Sequence, residues 1–154
     1  MDLRNVTMRK FRTEDAVAVS KIIRNNFMDV NSKDYSEEVA QRANDQFTPK
    51  FVLSMSNKRK MYVAVEDGII VGTASIDFDT ISNIFVDIEY HSKGIDKMLI
   101  SLLEEIADNN GLRLVKLVAA ASVQKRYEKL GYDTVEEIES EMFGKEILMQ
   151  RYLA

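Results

Sequence analysis

The stretch Ile84-Phe85-Val86-Asp87-Ile88-Glu89-Tyr90-His91-Ser92-Lys93-Gly94-Ile95 passes from an apolar strand, through a polar turn bearing a glycine, into an amphipathic helix. At such a junction the first-turn N–H groups of the helix lack intrahelical acceptors. Together with the helix dipole they favour an anion. Further along, Arg126-Tyr127-Glu128-Lys129-Leu130-Gly131-Tyr132 reads as a helix that stops at a glycine, with a tyrosine on its last turns.

Working outward from the first stretch, the helix from about Lys93 to Asn109 carries Ile95, Met98, Leu99, Leu102, Leu103 and Ile106 on one side. It ends at Asn109-Asn110-Gly111, a good stop. Leu114 to Ala119 reads as a buried strand, and Ser122 is expected to cap the short helix that runs to Leu130. Two more strands are expected around Tyr132 to Ile138 and Ile147 to Leu153.

On the amino-terminal side, Ile81 to Val86 is preceded by two β-rich runs, Met61 to Val65 and Ile69 to Ile76, flanking Glu66-Asp67-Gly68. Asp-Gly between such runs signals a hairpin. Val6 to Arg12 alternates as a first strand, and Thr13 is expected to cap a helix reaching Phe27, with Ala16, Val19, Ile23 and Phe27 as its buried stripe. Ser36-Glu37-Glu38-Val39 reads as a helix start, and Pro49 opens another short helix through Phe51, Val52 and Met55. The fold class is therefore α/β, a mixed central sheet of about six to seven strands flanked by helices in the order β-α-α-β-β-β-α-β-α-β-β.

The chain of 154 residues is long enough for one core and too short for two ordinary domains, so a single domain over residues 1–154 is expected. Its net charge of −4 argues against a nucleic-acid partner, since phosphate binding needs clustered Lys and Arg. The one basic run, Asn57-Lys58-Arg59-Lys60, reads as a solvated turn before a strand. There is no cysteine, hence no disulfide, thiolate zinc site or cysteine nucleophile, and with one histidine and no acidic ligand spacing no metal is expected. No apolar run approaches the ~18 residues that span a bilayer, and Met1-Asp2-Leu3-Arg4 is not followed by an apolar signal region, so a cytoplasmic location without membrane contact is expected.

The turn at His91 to Asp96 and the Tyr-Glu-Lys-Leu-Gly-Tyr segment together resemble the GCN5-related N-acetyltransferase (GNAT) family, and the element order matches its fold over nearly the whole chain. The resemblance implies acetyl-CoA as cosubstrate and an amine acceptor, with direct transfer in a ternary complex. The family's turn reads Gln or Arg, two residues, Gly, one residue, Gly or Ala. Here the positions are His91, Ser92, Lys93, Gly94, Ile95 and Asp96. Gly94 matches outright, His91 can donate to a phosphate, and Asp96 departs, because a carboxylate near a pyrophosphate repels it. Lys93 and Lys97 flank the turn and would offset part of that repulsion if their ammonium groups point inward. Backbone groups of Phe85, Val86 and Ile88 are implied to pair with the pantetheine amides as the strand splays from its neighbour.

By the same resemblance, Tyr127 is the general acid that protonates the leaving thiolate. Asp77 and Asp79, where one strand passes to the next, are the implied bases, unless ordered water carries the proton. Tyr132 is expected to pack. The family's pantetheine-contacting Asn is replaced by Ala120. Asp29, Asp34, Glu37, Glu38 and Asp45 cluster where the acceptor groove is lined, either as a solvated acidic face or as a lure for a cationic polyamine, aminoglycoside or lysine side chain. A second reading, favoured by His91, Asp96 and Ala120, is a degenerate member acting as a CoA or acyl-CoA sensor or an interaction module. Terminal-strand exchange or edge pairing through Ile147 to Leu153 is a route to a homodimer.

Overall fold

The computed structural model describes residues 3–29, 34–140 and 143–153, so Met1 and Asp2 of the amino-terminal stretch lie outside it. The chain begins with β1 (Val6–Lys10), α1 (Ala16–Phe27), α2 (Glu37–Gln46) and α3 (Pro49–Lys58). Three antiparallel strands follow, β2 (Lys60–Glu66), β3 (Ile69–Asp77) and β4 (Thr80–Val86), then α4 (Ile95–Asn109) and β5 (Leu114–Ala119). The short α5 (Gln124–Glu128) and the hairpin of β6 (Asp133–Ser140) and β7 (Gly144–Tyr152) complete it. The seven strands form one sheet in the order β1-β2-β3-β4-β5-β7-β6, antiparallel except for β4 beside β5, so β7 is paired on both sides and the edge pairing expected through Ile147 to Leu153 is corrected.

Alternation along the strands feeds two cores. Tyr62 and Ala64 of β2 pack with α4 residues Ile95, Leu99, Ile100 and Leu103. Met61 and Val63 point to the other face and meet Val19, Ile23 and Phe27 of α1 together with Phe47 and Val52. Gly72 on β3 lets α4 lie close against the sheet: a Cβ there would come within 3.2 Å of Ile95 Cγ2 and 3.3 Å of Leu99 Cδ1. The Asp67-Gly68 turn takes φ of +48° and +82°, as a tight hairpin requires.

Several local expectations are corrected. Three helices separate β1 from β2, as the starts at Thr13, Ser36 and Pro49 indicate, although the expected order counts two; Ser36 and Thr48 cap the second and third by accepting from the amides of Val39 and Phe51. Thr13 does not cap α1; a single 3-10 turn intervenes, held by the Asp15 carboxylate, which accepts from Arg12 N (2.7 Å) and the Arg9 guanidinium (2.7 and 2.9 Å). Ser122 does not cap α5: its amide (3.0 Å) and hydroxyl (2.6 Å) both donate to Asp34 across the chain. Among the described residues no helix is long and apolar enough to cross a membrane.

Candidate active site

The parallel pairing of β4 with β5 is confined to Thr80 beside Lys116 and Ile81 beside Leu117. Past that point the strands separate, and a bulge in β4 contributes. Phe85 faces Thr73 and Ser82 faces Ser75, so three steps on β4 oppose two on β3. Asn83 takes φ +53° within the bulge, where Arg59 Nη1 donates to Asn83 Oδ1 (2.6 Å) and Ser82 Oγ (3.2 Å). A cleft of about 470 Å³ opens where the strands part, with Phe85 and Val86 on one side and Val118 to Ala120 on the other.

The end of β4 is fastened by a residue that sequence reasoning missed. Asn26, on the last turn of α1, donates to the Val86 carbonyl (2.8 Å) and to Ile22 O (2.9 Å). His91 Nε2 lies 2.9 Å from the same carbonyl and 3.1 Å from Asn26 Oδ1. A carbonyl only accepts, so Nε2 carries the hydrogen and donates. Nδ1 of the neutral ring is then an acceptor, so the side chain has no second N–H for the phosphate-donor role expected of His91. Ser92 (φ +63°) and Gly94 (φ +91°) then turn the chain left-handedly into α4, with Gly94 as its cap residue. Backbone conformation is the demand on Gly94, since a Cβ there would make only ordinary contact, 3.6 Å from Leu3 Cδ1.

Asp96 does not stand as a bare negative charge in this turn. It is 6% exposed, its Oδ1 accepts from Lys97 N (2.9 Å) and pairs with the Arg126 guanidinium, and its Oδ2 accepts from the Tyr127 hydroxyl (3.2 Å). The charge expected to be offset by Lys93 and Lys97 is met by Arg126, thirty positions away on α5. Tyr127 is 3% exposed, and burial, reinforced by the Asp96 carboxylate, pushes its phenol above the usual range. It therefore keeps its proton through neutral pH. Its carbonyl accepts from Leu130 N (3.0 Å) and Tyr132 N (3.2 Å), and Gly131 at φ +100° completes the stop. Tyr132 packs as expected at 1% exposure and donates to Glu104 (2.7 Å).

The lining of the cleft contains Phe85, Val86, His91, Ser92, Gly94, Ile95, Asp96 and Tyr127, but Ile88, Lys93 and Lys97 lie outside it. Asp77 and Asp79 also lie outside, which corrects their expected place as bases. They flank the β3–β4 turn, about 20 Å along β4 from the Val86 end of the cleft and, at roughly 3.3 Å per residue, about 13 Å short of Asn83, the first β4 residue to line it. Asp79 instead accepts from Thr80 Oγ1 (2.8 Å), lies 3.9 Å from Lys116 Nζ, and receives the Lys116 amide on its carbonyl (2.8 Å).

The other end of the cleft is aromatic and acidic. Phe27, 3% exposed, has Tyr35, Phe85 and Phe143 around it at ring-centre distances of 4.5, 5.5 and 5.5 Å. Asp29, Asp34 and Glu146 line this end, whereas Glu37, Glu38 and Asp45 sit exposed on α2. Burial raises the Glu146 carboxyl above the ordinary glutamate range, partly opposed by the Ser140 hydroxyl. Glu146 was invisible to motif reading. Its strand also carries Lys145, Gln150 and Arg151, so no local pattern singled it out.

A cleft between two diverging strands, closed by a left-handed glycine turn at a helix start and by a buried tyrosine, is the plan of an acyl-transfer fold. The sequence profile of the acetyltransferase (GNAT) domain matches residues 31–152, and the chain belongs to that family. It is an enzyme of the acetyltransferase class. A GCN5-related N-acetyltransferase from Rhodopseudomonas palustris superposes with a TM-score of 0.89 at 22% identity over 99% of both chains. PaiA N-acetyltransferase from Thermoplasma acidophilum, solved with coenzyme A, gives 0.75 at 19% identity over 96% of this chain and 99% of that one. YncA from Salmonella typhimurium, solved with its cofactor acetyl-CoA, gives 0.69 at 16% identity over 97% and 95%. These likenesses show the fold. A search of curated proteins returned no match.

Proposed function

We propose that residues 1–154 act as one cytoplasmic domain that transfers the acetyl group of acetyl-CoA directly to a primary amine. The observation that carries this reading is the convergence of the β4–β5 opening, the Gly94 turn and the protonated Tyr127 on one cleft. The edge of β4 left unpaired by β5 beyond Ile81 offers main-chain groups to an extended amide-bearing arm, by strand addition. The amides of the turn at Ser92, Gly94 and Ile95 receive the pyrophosphate, with Arg126 supplying positive charge beside Asp96. Tyr127 donates its proton to the departing thiolate, which makes the thiol a better leaving group.

The sensor or interaction-module alternative drew on His91, Asp96 and Ala120. Two of these lose their force: His91 and Asn26 brace the strand end, and Asp96 is charge-balanced by Arg126. Asp96→Gly is expected to strip Arg126 and the buried Tyr127 hydroxyl of their acceptor at a cost of about 1–3 kcal/mol. The melting temperature then falls by several degrees while acetyl-CoA binds no more weakly. An unchanged melting temperature would show that the Asp96 contacts carry no stability.

The reading is tested by incubating the protein with acetyl-CoA and a panel of primary amines while following thiol release and mass gain on the amine. Equal thiol release and acetylation of at least one amine is the expected outcome. Binding of acetyl-CoA without turnover across a broad panel would restore the sensor reading.

A further inference from the structure

We infer that Glu146 receives the acceptor, holding its ammonium group and taking its proton, and that the rings beside it select a primary amine carried on an aromatic body. Both assignments rest on the acetyltransferase reading and add to it a base and a substrate class.

Placement comes from the strand register. Ile147 pairs with Ala119 at the carboxyl end of β5 and is fully buried in the α4-side core. Alternation turns Glu146 to the opposite face, the one that α1 covers. Glu146 therefore stands beside the carboxyl end of β5, where β4 and β5 part, and lines the same cleft as Tyr127.

Most other charged and titratable groups of the cleft have assignable work, Tyr90 donating to Glu66 (3.2 Å) among them. Asp34 receives the Ser122 amide and hydroxyl, and Arg126 pairs with Asp96, which also accepts from Tyr127. His91 Nε2 is turned to Val86 O. Asp29, just after α1, also lines the cleft, and Tyr35, its phenol raised by burial and by the charges of Asp34 and Glu146, stays protonated. Glu146 is half-buried beside the Ser140 hydroxyl, and burial makes it a stronger base than an exposed glutamate.

The neighbouring rings of Tyr35, Phe85 and Phe143 around Phe27 give this end of the cleft apolar faces. Such faces attract a cation and bury a flat apolar body, while a substrate carboxylate would meet Glu146 and be repelled. A small aromatic amine satisfies both features.

The proton balance closes. An alkylammonium gives one proton to Glu146, and the freed nitrogen attacks the thioester carbon, forming the C–N bond. As the C–S bond breaks, the sulfur takes the Tyr127 proton. The second nitrogen proton replaces that one at Tyr127 through solvent, and Glu146 releases its own to water, so one proton leaves per turnover.

The test uses acetyl-CoA, CoA, 2-phenylethylamine and L-glutamate with wild-type protein, Glu146→Gln and Glu146→Asp. Titration of 2-phenylethylamine into the CoA-loaded protein is expected to show binding that Glu146→Gln weakens about tenfold, with acetyl-CoA affinity and melting temperature unchanged. In steady state, Glu146→Gln lowers kcat/KM for the amine by about a hundredfold or more and abolishes the acid limb of its pH profile, and Glu146→Asp restores part of both. Wild-type kcat/KM and pH profile in Glu146→Gln, or L-glutamate acetylated as well as 2-phenylethylamine, would overturn the inference while leaving the acetyltransferase reading intact. Failure of the wild type to bind acetyl-CoA would overturn both.

Discussion

Tyr127→Phe is expected to lower kcat by about a hundredfold while acetyl-CoA affinity stays within about twofold. The variant removes one oxygen from a buried position and leaves the ring in its packing. Asp96 loses a donor but keeps Arg126 and the Lys97 amide, so no charge is stranded and the fold survives. The loss therefore falls on the step that needs the proton. With a thioester whose thiol is a better leaving group, the deficit should shrink, because less acid assistance is needed. Full activity of the variant with a good amine acceptor would remove Tyr127 from the acid role.

Gly94→Val should cost at least about a hundredfold in acetyl-CoA affinity. Position 94 holds φ +91°, a region that a β-branched side chain enters only at a penalty of about 1–3 kcal/mol. The strain is relieved by moving the first turn of α4, and the amides that face the anion move with it. Gly94→Asn makes the control, since Asn tolerates left-handed backbone, and it is expected to keep most of the affinity. Equal losses in Asn and Val would mean that space for the ligand, and not backbone conformation, sets the requirement. No loss in either would remove the turn from the site.

Much of the fold could be read from local pattern. The α1 stripe of Ala16, Val19, Ile23 and Phe27 is buried throughout, and Asp67-Gly68 makes the hairpin, because helical spacing and turn chemistry are properties of adjacent residues. The divergence of β4 from β5, implied by family resemblance, is present in the pairing. What local pattern could not supply were contacts between distant positions. Asn26 meets Val86 across sixty residues, and Arg126 meets Asp96 across thirty. Asp77 and Asp79 rested on the resemblance alone, and they lie at the end of β4 away from Val86. Glu146 was overlooked for the converse reason: only the pairing of Ile147 with Ala119 brings it to the cleft.

Isothermal titration of the wild-type protein with acetyl-CoA, beside CoA, at moderate salt, bears most directly on whether this turn and cleft hold the cosubstrate. Binding with a Kd in the micromolar range is predicted, because Arg126 balances Asp96 and the Gly94 turn is preformed. Absence of binding at millimolar acetyl-CoA would contradict it, and the chain would then be a family member that keeps the fold without the cofactor site.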